Sequence, residues 1–280
     1  MTGNDILKGK VALITGAGRK AGLGQGIAVA LASAGASVML HDRGSVEGDI
    51  APKHGVGTQS DLEQIAAEMN SAGGDVATVT GDLLDESAIE AIVAAIVSRF
   101  GRLDILVNNA GIGYLFGPTT ELKANHLDAV LGVNLRAPIL ATKHAARQMI
   151  RQGDGGRIIN IASQAGKSGF ALTTAYTASK HGIIGLTRAT ALEFGEHGIT
   201  VNAICPNHVT TGLGSWQNDF MSKARGQSMD EYMGEMRRRI PLGRTGTPED
   251  IAQAALFLCS PAAAYITAEA MNVSGGEEYH

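Results

Sequence analysis

Short runs rich in β-branched residues alternate with longer amphipathic stretches along most of the chain. The runs lie at residues 10–14, 37–40, 76–80, 104–108, 157–162 and 199–204, and a last one lies at 270–274. A regular alternation of strands and helices is typical of parallel strands joined by helical crossovers. We therefore expect an α/β fold built on a doubly wound parallel sheet with helices on both faces.

The length and composition favour one globular domain. The chain has 280 residues, of which 44% are hydrophobic and 18% are charged, so it is long enough to bury a substantial core. We expect a single domain over residues 1–280. The net charge of −4 and the scattered Lys and Arg residues argue against nucleic-acid binding through a basic face.

Metal sites, disulfides and membrane segments have no clear signal in the sequence. Cys205 and Cys259 lie far apart in apolar runs, which predicts buried free thiols. The eight histidines lack metal-ligand spacing, so we expect no metal. Residues 1–10 lack the apolar segment of a signal peptide, and no apolar run is long enough to span a membrane. We expect a cytoplasmic protein with no membrane partner.

Two polar segments interrupt the alternation, at 44–60 and at about 212–244. Long connections in a compact domain are usually functional or disordered. The second segment contains Trp216, the only tryptophan, and an amphipathic piece at 230–240, so we predict an ordered substrate lid. Both segments leave from the carboxyl ends of predicted strands, which is where open α/β sheets bind their ligands.

The sequence YTASK places Tyr176 and Lys180 four residues apart, on one face of a predicted helix. A neighbouring ammonium group stabilises a phenolate and lowers the tyrosine pKa from about 10, which makes the tyrosine usable as a general acid or base. Ser163 follows the strand at 157–162, where its hydroxyl can hydrogen-bond the same substrate oxygen. Asn134 lies in an apolar helical setting and needs hydrogen-bond partners if it is buried.

Several motifs in one order resemble those of the short-chain dehydrogenase/reductase family. They are KVALITGA, NNAG, GVN, INIAS, YTASK, VNAICP and AMNVSGG, and they extend from residue 10 to residue 276. The resemblance implies a Rossmann-type sheet of about seven strands in the order 3-2-1-4-5-6-7. It also implies an oxidoreductase that transfers hydride between a nicotinamide cofactor and a secondary alcohol or ketone.

The resemblance assigns a role to each of four residues. Tyr176 would transfer the proton, Lys180 would hold the nicotinamide ribose and lower the tyrosine pKa, and Ser163 would position the substrate oxygen. Asn134 would organise a water through which the proton leaves. The cofactor carries the hydride step, and the protein supplies orientation and proton transfer.

The stretch TGAGRKAGLGQGIA at 15–28 resembles the family's glycine loop, TGxxxGxG, lengthened by two residues. In that reading Gly16 makes the turn, Gly22 and Gly24 admit the pyrophosphate, and Leu23 opens the helix. Gly18, Arg19 and Lys20 would lie on a bulge. A GxGxxA reading from Gly16 would start the helix earlier, and a GxxxxGK[ST] phosphate loop fails because no Lys follows Gly22. The enoyl-reductase branch has a similar longer loop, but its Tyr–Lys pair is usually spaced more widely.

Charges near the second strand bear on the choice of cofactor. Asp42 matches the position whose carboxylate accepts the adenosine-ribose hydroxyls and repels a 2′-phosphate, which favours NAD. A 2′-phosphate could instead be bound by the basic side chains of Arg43, Arg19 and Lys20, so NADP is the alternative cofactor. The other cofactor contacts that the resemblance implies are Asp82, Leu83, Asn109, Ala110, Gly111, Tyr176, Lys180, Val209 and Thr211.

The segment PNHVTT at 206–211 departs from the family pattern because Asn207 replaces the usual glycine. Asn207 and His208 either satisfy backbone groups or, with Gln164 and Trp216, bind a polyhydroxylated substrate. The lid and the C-terminal tail resemble branches that oxidise sugars and polyols, so we expect a sugar or polyol dehydrogenase. The alternatives are a 3-oxoacyl thioester or steroid-type carbonyl reductase, then an enoyl reductase or a non-catalytic nucleotide-binding relative. The family is commonly tetrameric, which predicts a homo-oligomer.

Overall fold

A seven-stranded parallel sheet forms the centre of the computed structural model, which describes residues 5–45, 50–51 and 56–280. The strand order is β3-β2-β1-β4-β5-β6-β7. The strands are β1 (Val11–Thr15), β2 (Ser37–Asp42), β3 (Asp75–Thr80), β4 (Ile105–Asn108), β5 (Gly156–Ile161), β6 (Ile199–Pro206) and β7 (Ala270–Val273). The predicted doubly wound sheet and its strand order are confirmed.

Helices cover both faces of the sheet. In chain order they are α1 (Leu23–Ser33), α2 (Gln59–Ser71), α3 (Glu86–Phe100), α4 (Ala124–Leu131), α5 (Ala137–Gln152), α6 (Thr174–Phe194), α7 (Gly212–Ala224), α8 (Met229–Arg239) and α9 (Pro248–Cys259). Apolar residues of α1, α2 and α9 form one buried cluster against the sheet, and those of α3, α5 and α6 form another.

The strand sequences explain why helices pack against both faces of the sheet. In β1, Ala12 and Ile14 belong to the cluster with α1, whereas Val11 and Leu13 belong to the cluster with α3. Successive side chains of a strand point to opposite faces, so a strand that is apolar at every position must be buried on both sides. This is the reason that the strands appear in the sequence as continuous apolar runs.

Local sequence signals fix the ends of α3 and the start of α9. Asp85 caps α3 by accepting from the Ser87 amide, and Gly101 ends the helix with a φ of 80°. Thr247 and Asp250 form a reciprocal capping box at the start of α9. Such caps satisfy amides that have no partner within the helix, and each contributes about 1 kcal/mol.

The predicted lid segment folds into α7 and α8. Thr211 caps α7, and Ser228 with Glu231 caps α8. Tyr232 and Met236 of α8 form a small buried cluster with Ile240, which follows the helix. The segment is therefore ordered, and its role as a substrate lid stays a prediction. Part of the other predicted segment, residues 46–49 and 52–55, lies outside the described residues.

Two further sequence expectations concern the cysteines and the membrane. Cys205 and Cys259 are free and buried, as predicted. Within the part of the chain that the structure describes, no helix has the length and apolar character needed to cross a bilayer.

Candidate active site

A cavity of about 530 Å³ lies at the carboxyl ends of the strands. It is bordered by Gly16 after β1, Asn109 after β4, Ser163 after β5 and His208 after β6. Parallel sheets bind ligands at this edge because the connections that follow neighbouring strands converge there. The cavity extends from the glycine loop to α7 and α8.

Tyr176 lies in the first turn of α6 and is the centre of the polar site. Its hydroxyl forms hydrogen bonds with the side chains of Ser163 and Gln217. Ser163 is oriented by the backbone, because its Oγ accepts from the Ala165 amide at 3.1 Å. The tyrosine and serine hydroxyls therefore meet at one point, as the sequence predicts for groups that share a substrate oxygen.

Lys180 is buried one helical turn after Tyr176 and is 6% exposed. Its Nζ donates to the Ile161 carbonyl at 2.7 Å and lies 5.7 Å from the centroid of the Tyr176 ring. Burial penalises the ammonium form and lowers the pKa of Lys180 to about 8. The ammonium is held between β5 and the tyrosine.

The pKa of Tyr176 differs from the sequence expectation. Burial raises the pKa of the phenol above its ordinary value of 10, and the hydrogen bonds with Ser163 and Gln217 lower it by less. The spacing of YTASK predicts a lowering by Lys180, but the Lys180 ammonium is directed to the Ile161 carbonyl. Burial is the stronger effect here because a phenolate loses its hydration inside the protein.

Asn134 lies in a π-helical turn, Gly132–Arg136, between α4 and α5, and is 1% exposed. Its Oδ1 accepts from the Ile112 amide at 2.7 Å. Its Nδ2 donates to the Ile112 carbonyl at 2.8 Å and to Ser179 Oγ at 3.1 Å. The partners that a buried asparagine requires are present, and they join the loop after β4 to α6. Single π-helical turns occur often at functional sites.

Three glycines of the loop, Gly16, Gly22 and Gly24, are each explained by a different local feature of the structure. Gly16 has a φ of 67°, and a Cβ there would lie 2.7 Å from Ala110 Cα. Gly22 caps α1 without a side chain, so the first helical amides stay available to a ligand. The sequence predicts that Gly24 admits the pyrophosphate, but Gly24 does not border the cavity. A Cβ at Gly24 would lie 2.6 Å from Asn109 Nδ2, so close helix packing explains this glycine.

Asn109 and Thr15 join β1 to β4 beneath the glycine loop. Thr15 Oγ1 accepts from the amides of Asn109 and Ala110 at 3.0 and 3.1 Å. Asn109 Nδ2 donates to the carbonyls of Thr15 and Gly16 at 2.8 and 2.9 Å. This network sets the floor of the cavity along Asn109, Ala110 and Gly111.

Asp42 ends β2 at the edge of the cavity. Its Oδ2 accepts from the Gly18 amide at 2.9 Å, and its Oδ1 accepts from the Arg43 amide at 2.8 Å. The carboxylate is therefore held in place by the bulge of the glycine loop. Arg19, on the same bulge, borders the cavity, where burial lowers its pKa and the Asp42 charge raises it.

The other basic side chains near Asp42 are paired with carboxylates. The Arg43 guanidinium contacts Asp82 at 2.9 Å, and Lys20 Nζ contacts Glu68 of α2 at 3.1 Å. Asp82 also accepts from the Leu84 amide at 3.0 Å. The charges of Arg43 and Lys20 are thus partly neutralised, although both residues border the cavity.

Asn207 and His208 form part of a polar wall opposite the glycine loop. Asn207 donates to Glu277, and Arg239 donates to the other oxygen of that carboxylate at 2.9 and 2.5 Å. His208 Nε2 lies 3.8 Å from Glu277, and burial lowers the pKa of His208 to about 4. At neutral pH the imidazole is uncharged.

Trp216 does not border the cavity, although the sequence predicts it as a stacking face for the substrate. It stacks on Phe220 with ring centroids 5.5 Å apart and contacts Phe116 at 5.8 Å. Phe116 borders the cavity and lies 5.8 Å from Tyr176. The aromatic wall is thus provided by Phe116, and Trp216 supports it from behind.

Most predicted site residues border the cavity. They are Gly16, Gly22, Leu23, Asp42, Asp82, Leu83, Asn109, Ala110, Gly111, Ser163, Gln164, Tyr176, Lys180, Asn207, His208, Val209 and Thr211, whereas Gly24, Asn134 and Trp216 lie behind its surface. The sequence reasoning missed Phe116, Gln217, Met221, Arg225, Tyr232 and Arg239. The amphipathic pattern of the lid was the available signal, but it does not show which face of each helix meets the cavity.

Comparison with known proteins places the chain in a family. A family model described as enoyl-(acyl carrier protein) reductase matches residues 16–278. A short-chain dehydrogenase/reductase from Armillaria gallica is 38% identical over 278 residues, which are 99% of this chain and 98% of that protein. Galactitol 2-dehydrogenase from Agrobacterium fabrum is 37% identical over 96% of this chain and 98% of its own length.

A solved structure agrees with these sequence matches. A variant of actinorhodin polyketide ketoreductase with NADPH is 36% identical, has a TM-score of 0.87, and is matched over 97% of this chain and 98% of that one. The chain belongs to the short-chain dehydrogenase/reductase family of oxidoreductases.

Proposed function

We propose that this oxidoreductase transfers hydride between NAD and a secondary alcohol of a sugar or polyol. The observation that carries the proposal is the hydrogen-bonded meeting of Tyr176 and Ser163 inside a cavity with polar side chains on its walls. Gln164, Asn207 and His208 border the same cavity and offer hydrogen bonds to hydroxyl groups. The similarity to galactitol 2-dehydrogenase supports the same substrate class.

The residues present fit a dinucleotide. Gly16 leaves no room for a Cβ beside Ala110, and the N-terminus of α1 opens toward the cavity at Gly22 and Leu23. These backbone groups would hold the pyrophosphate, while Asp42 would bind the adenosine ribose and Lys180 the nicotinamide ribose. When bound, the nicotinamide ring accepts or supplies the hydride.

The chain itself handles the proton. In the oxidative direction Tyr176 takes the proton from the substrate hydroxyl, and Ser163 hydrogen-bonds to the same oxygen. In the reductive direction Tyr176 returns the proton. The buried Lys180 Nζ lies 5.7 Å from the centroid of the Tyr176 ring and donates to the Ile161 carbonyl, so its role in this proposal is to bind the nicotinamide ribose beside the tyrosine. Asn134 would hold a water next to Lys180, through which the proton reaches solvent.

The proton role of Tyr176 is tested by Tyr176→Phe. The variant keeps the ring that packs against Phe116 and removes only the hydroxyl. We expect turnover to fall by at least about 1,000-fold, since proton transfer and oxygen orientation are both lost, while nucleotide affinity changes little. Turnover at the parent rate would refute the mechanism. Nucleotide binding by calorimetry separates this loss from misfolding.

NAD rather than NADP is the proposed cofactor. The Asp42 carboxylate is held at the cavity edge, and Arg43 and Lys20 are paired with Asp82 and Glu68. A carboxylate repels a 2′-phosphate, and cations that are already paired attract it less. We expect kcat/KM to be higher with NAD than with NADP, and Asp42→Ala to reduce that ratio by about 10-fold or more. A preference for NADP in the parent enzyme would contradict the assignment.

Reduction of a 3-oxoacyl thioester is the second candidate. The similarity to a polyketide ketoreductase favours it, as does the apolar lining by Phe116, Phe170 and Met221. A substrate panel separates the two candidates through the absorbance of the reduced nicotinamide. Polyols, sugars, simple secondary alcohols and acetoacetyl thioesters would be compared at equal concentration, and turnover of the thioester alone would overturn the sugar or polyol proposal.

A further inference from the structure

One face of α7 borders the cavity from the catalytic hydroxyls to the far wall. Gln217, Met221 and Arg225 follow each other at four-residue intervals and all border the cavity. Residues four apart share one face of a helix. Eight residues correspond to about 12 Å along a helix axis, so this face spans the length of a small extended substrate.

Gln217 places one end of this face at the reacting group. Its side chain hydrogen-bonds to the Tyr176 hydroxyl, and its Nε2 donates to the Gly113 carbonyl at 2.8 Å. Arg225, at the C-terminal end of α7, therefore lies at the opposite end of the substrate space. A group bound by Arg225 is remote from the carbon that reacts at Tyr176.

The far wall carries an uncompensated positive charge. The guanidinium of Arg239 donates twice to Glu277, at 2.9 and 2.5 Å. Arg225 has no such partner, since no carboxylate among the described residues lies within 4.0 Å of its guanidinium. Its Cζ instead lies 5.3 Å from the ring centroid of Tyr232, which is 5% exposed and borders the cavity. A buried aromatic ring limits the positions of the guanidinium and leaves its donors available.

His208 adds a second polar side chain on the same wall, with its Nε2 3.8 Å from the Glu277 carboxylate and so beyond hydrogen-bond distance. Its Nε2 is buried and has no hydrogen-bond partner among the described residues. A buried polar atom without a partner lowers stability, and such atoms in a cavity are commonly completed by a ligand or a water molecule. His208 is uncharged at neutral pH, and it therefore suits a hydroxyl group better than a second anionic group.

We propose that the substrate is a polyhydroxylated molecule with an anionic oxygen group, carboxylate or phosphate, at the end remote from the reacting carbon, and that Arg225 binds this group. The inference rests on the proposed sugar or polyol function and narrows it from neutral polyols to acidic ones. His208 completes the site by hydrogen-bonding a hydroxyl near the anionic end. The fork of donors on an arginine matches both carboxylate and phosphate oxygens.

Matched substrates test the charge directly. Steady-state kinetics with NAD and with NADP would compare six-carbon polyols, the aldonates of the same chain length, and the corresponding sugar-alcohol phosphates. We expect kcat/KM to be at least 10-fold higher for aldonates or for phosphates than for the neutral polyols. A higher kcat/KM for the aldonates would show that Arg225 binds a carboxylate, and a higher kcat/KM for the sugar-alcohol phosphates would show that it binds a phosphate.

Variants of Arg225 test the residue. We expect Arg225→Ala to raise KM for the anionic substrate by about 10- to 100-fold and to raise KM for a neutral polyol by a much smaller factor, because the charge-assisted contact is made only by the anionic substrate. Arg225→Lys should retain part of the affinity, since it keeps the charge and loses the two-point fork. Arg237→Ala is the control, because Arg237 is an exposed arginine of α8 that does not border the cavity.

A binding measurement separates this inference from the proposed function. Trp216 is the only tryptophan and lies on α7, so its fluorescence reports ligand binding to a Tyr176→Phe enzyme that does not turn over. Equal kcat/KM for neutral and anionic substrates, or an unchanged KM in Arg225→Ala, overturns the inference and leaves the proposed function standing. Turnover of acetoacetyl thioester but of no polyol, aldonate or sugar-alcohol phosphate overturns both.

Discussion

Lys180→Met should make the nucleotide-free protein more stable at neutral pH although it removes a residue of the proposed catalytic cluster. Lys180 is 6% exposed, and burial lowers its pKa from 10.5 to about 8. That lowering of the pKa means that burying the Lys180 charge reduces the unfolding free energy of the parent protein at pH 7 by about 3 kcal/mol. Met has a similar length and fills the same space without a charge.

The lost hydrogen bond acts in the opposite direction. Lys180 Nζ donates to the Ile161 carbonyl at 2.7 Å, and leaving that carbonyl without a partner costs about 1–2 kcal/mol. The variant should therefore gain about 1–2 kcal/mol at pH 7. For a protein of this size the gain corresponds to an increase in Tm of about 2–4 °C.

The sign of the pH dependence follows from proton binding. Between pH 8 and pH 10.5 the unfolded chain keeps a proton on Lys180 that the native protein has lost, so the stability of the parent rises with pH. The difference in unfolding free energy between Lys180→Met and the parent should decrease over this range. Near pH 10 the parent should become the more stable protein, because the cost of burying the charge is then nearly gone and the variant still lacks the hydrogen bond to Ile161. Calorimetry of both proteins without nucleotide at several pH values measures the difference.

Lys223→Met provides the control, because Lys223 is 74% exposed on α7. An exposed lysine has its ordinary hydration in both states, so its replacement should change the unfolding free energy by less than about 0.5 kcal/mol. A Lys180→Met protein that is less stable than the parent at pH 7, or a difference that does not vary with pH, would refute the reasoning from desolvation.

Three other outcomes follow from the structure. Because burial raises the pKa of Tyr176 above its ordinary value of 10, the oxidative rate should still increase with pH throughout the alkaline range in which the enzyme stays folded, and a flat profile there would contradict a tyrosine base. Gly18→Ala should reduce the NAD preference, since its Cβ would lie 2.9 Å from Asp42 Oδ2; an unchanged ratio of kcat/KM for the two cofactors would argue against this. Ile139 and Leu192, which are 44% and 84% exposed, favour a homo-oligomer that light scattering would detect, and a monomer at micromolar concentration would count against it.

The strands and the capped helices were predictable because their determinants are local. A run such as that of β1 is apolar on both faces, and the Thr247 box requires only residues that are three positions apart. The position of Ser163 at the site was also predictable, since it follows a strand and the carboxyl ends of parallel strands converge at the ligand site. The position of Lys180 beside Tyr176 was predictable because one helical turn separates them.

The remaining features depend on distances that the sequence does not contain. The pKa of Tyr176 follows the depth of its burial, and the direction of the Lys180 ammonium follows the position of the Ile161 carbonyl. Trp216 was one of the residues predicted to contact a polyhydroxylated substrate, as a stacking face. The rotation of α7 instead directs Gln217 to the cavity and Trp216 onto Phe220. A periodic pattern shows which residues form the apolar face of a helix, but it does not show what that face packs against.

The lengthened glycine loop and the proposed choice of NAD have a common physical basis. The Gly18 amide, which belongs to the extra bulge, donates to Asp42 Oδ2 at 2.9 Å. Gly57, beyond β2, approaches the bulge so closely that a Cβ there would lie 2.3 Å from the Gly18 carbonyl carbon. A carboxylate that repels a 2′-phosphate acts best when it cannot turn away, and the bulge supplies the donor that holds it. In the proposed NAD complex the inserted residues would therefore act on the cofactor through Asp42, and direct contact by Arg19 or Lys20 would not be required for that effect.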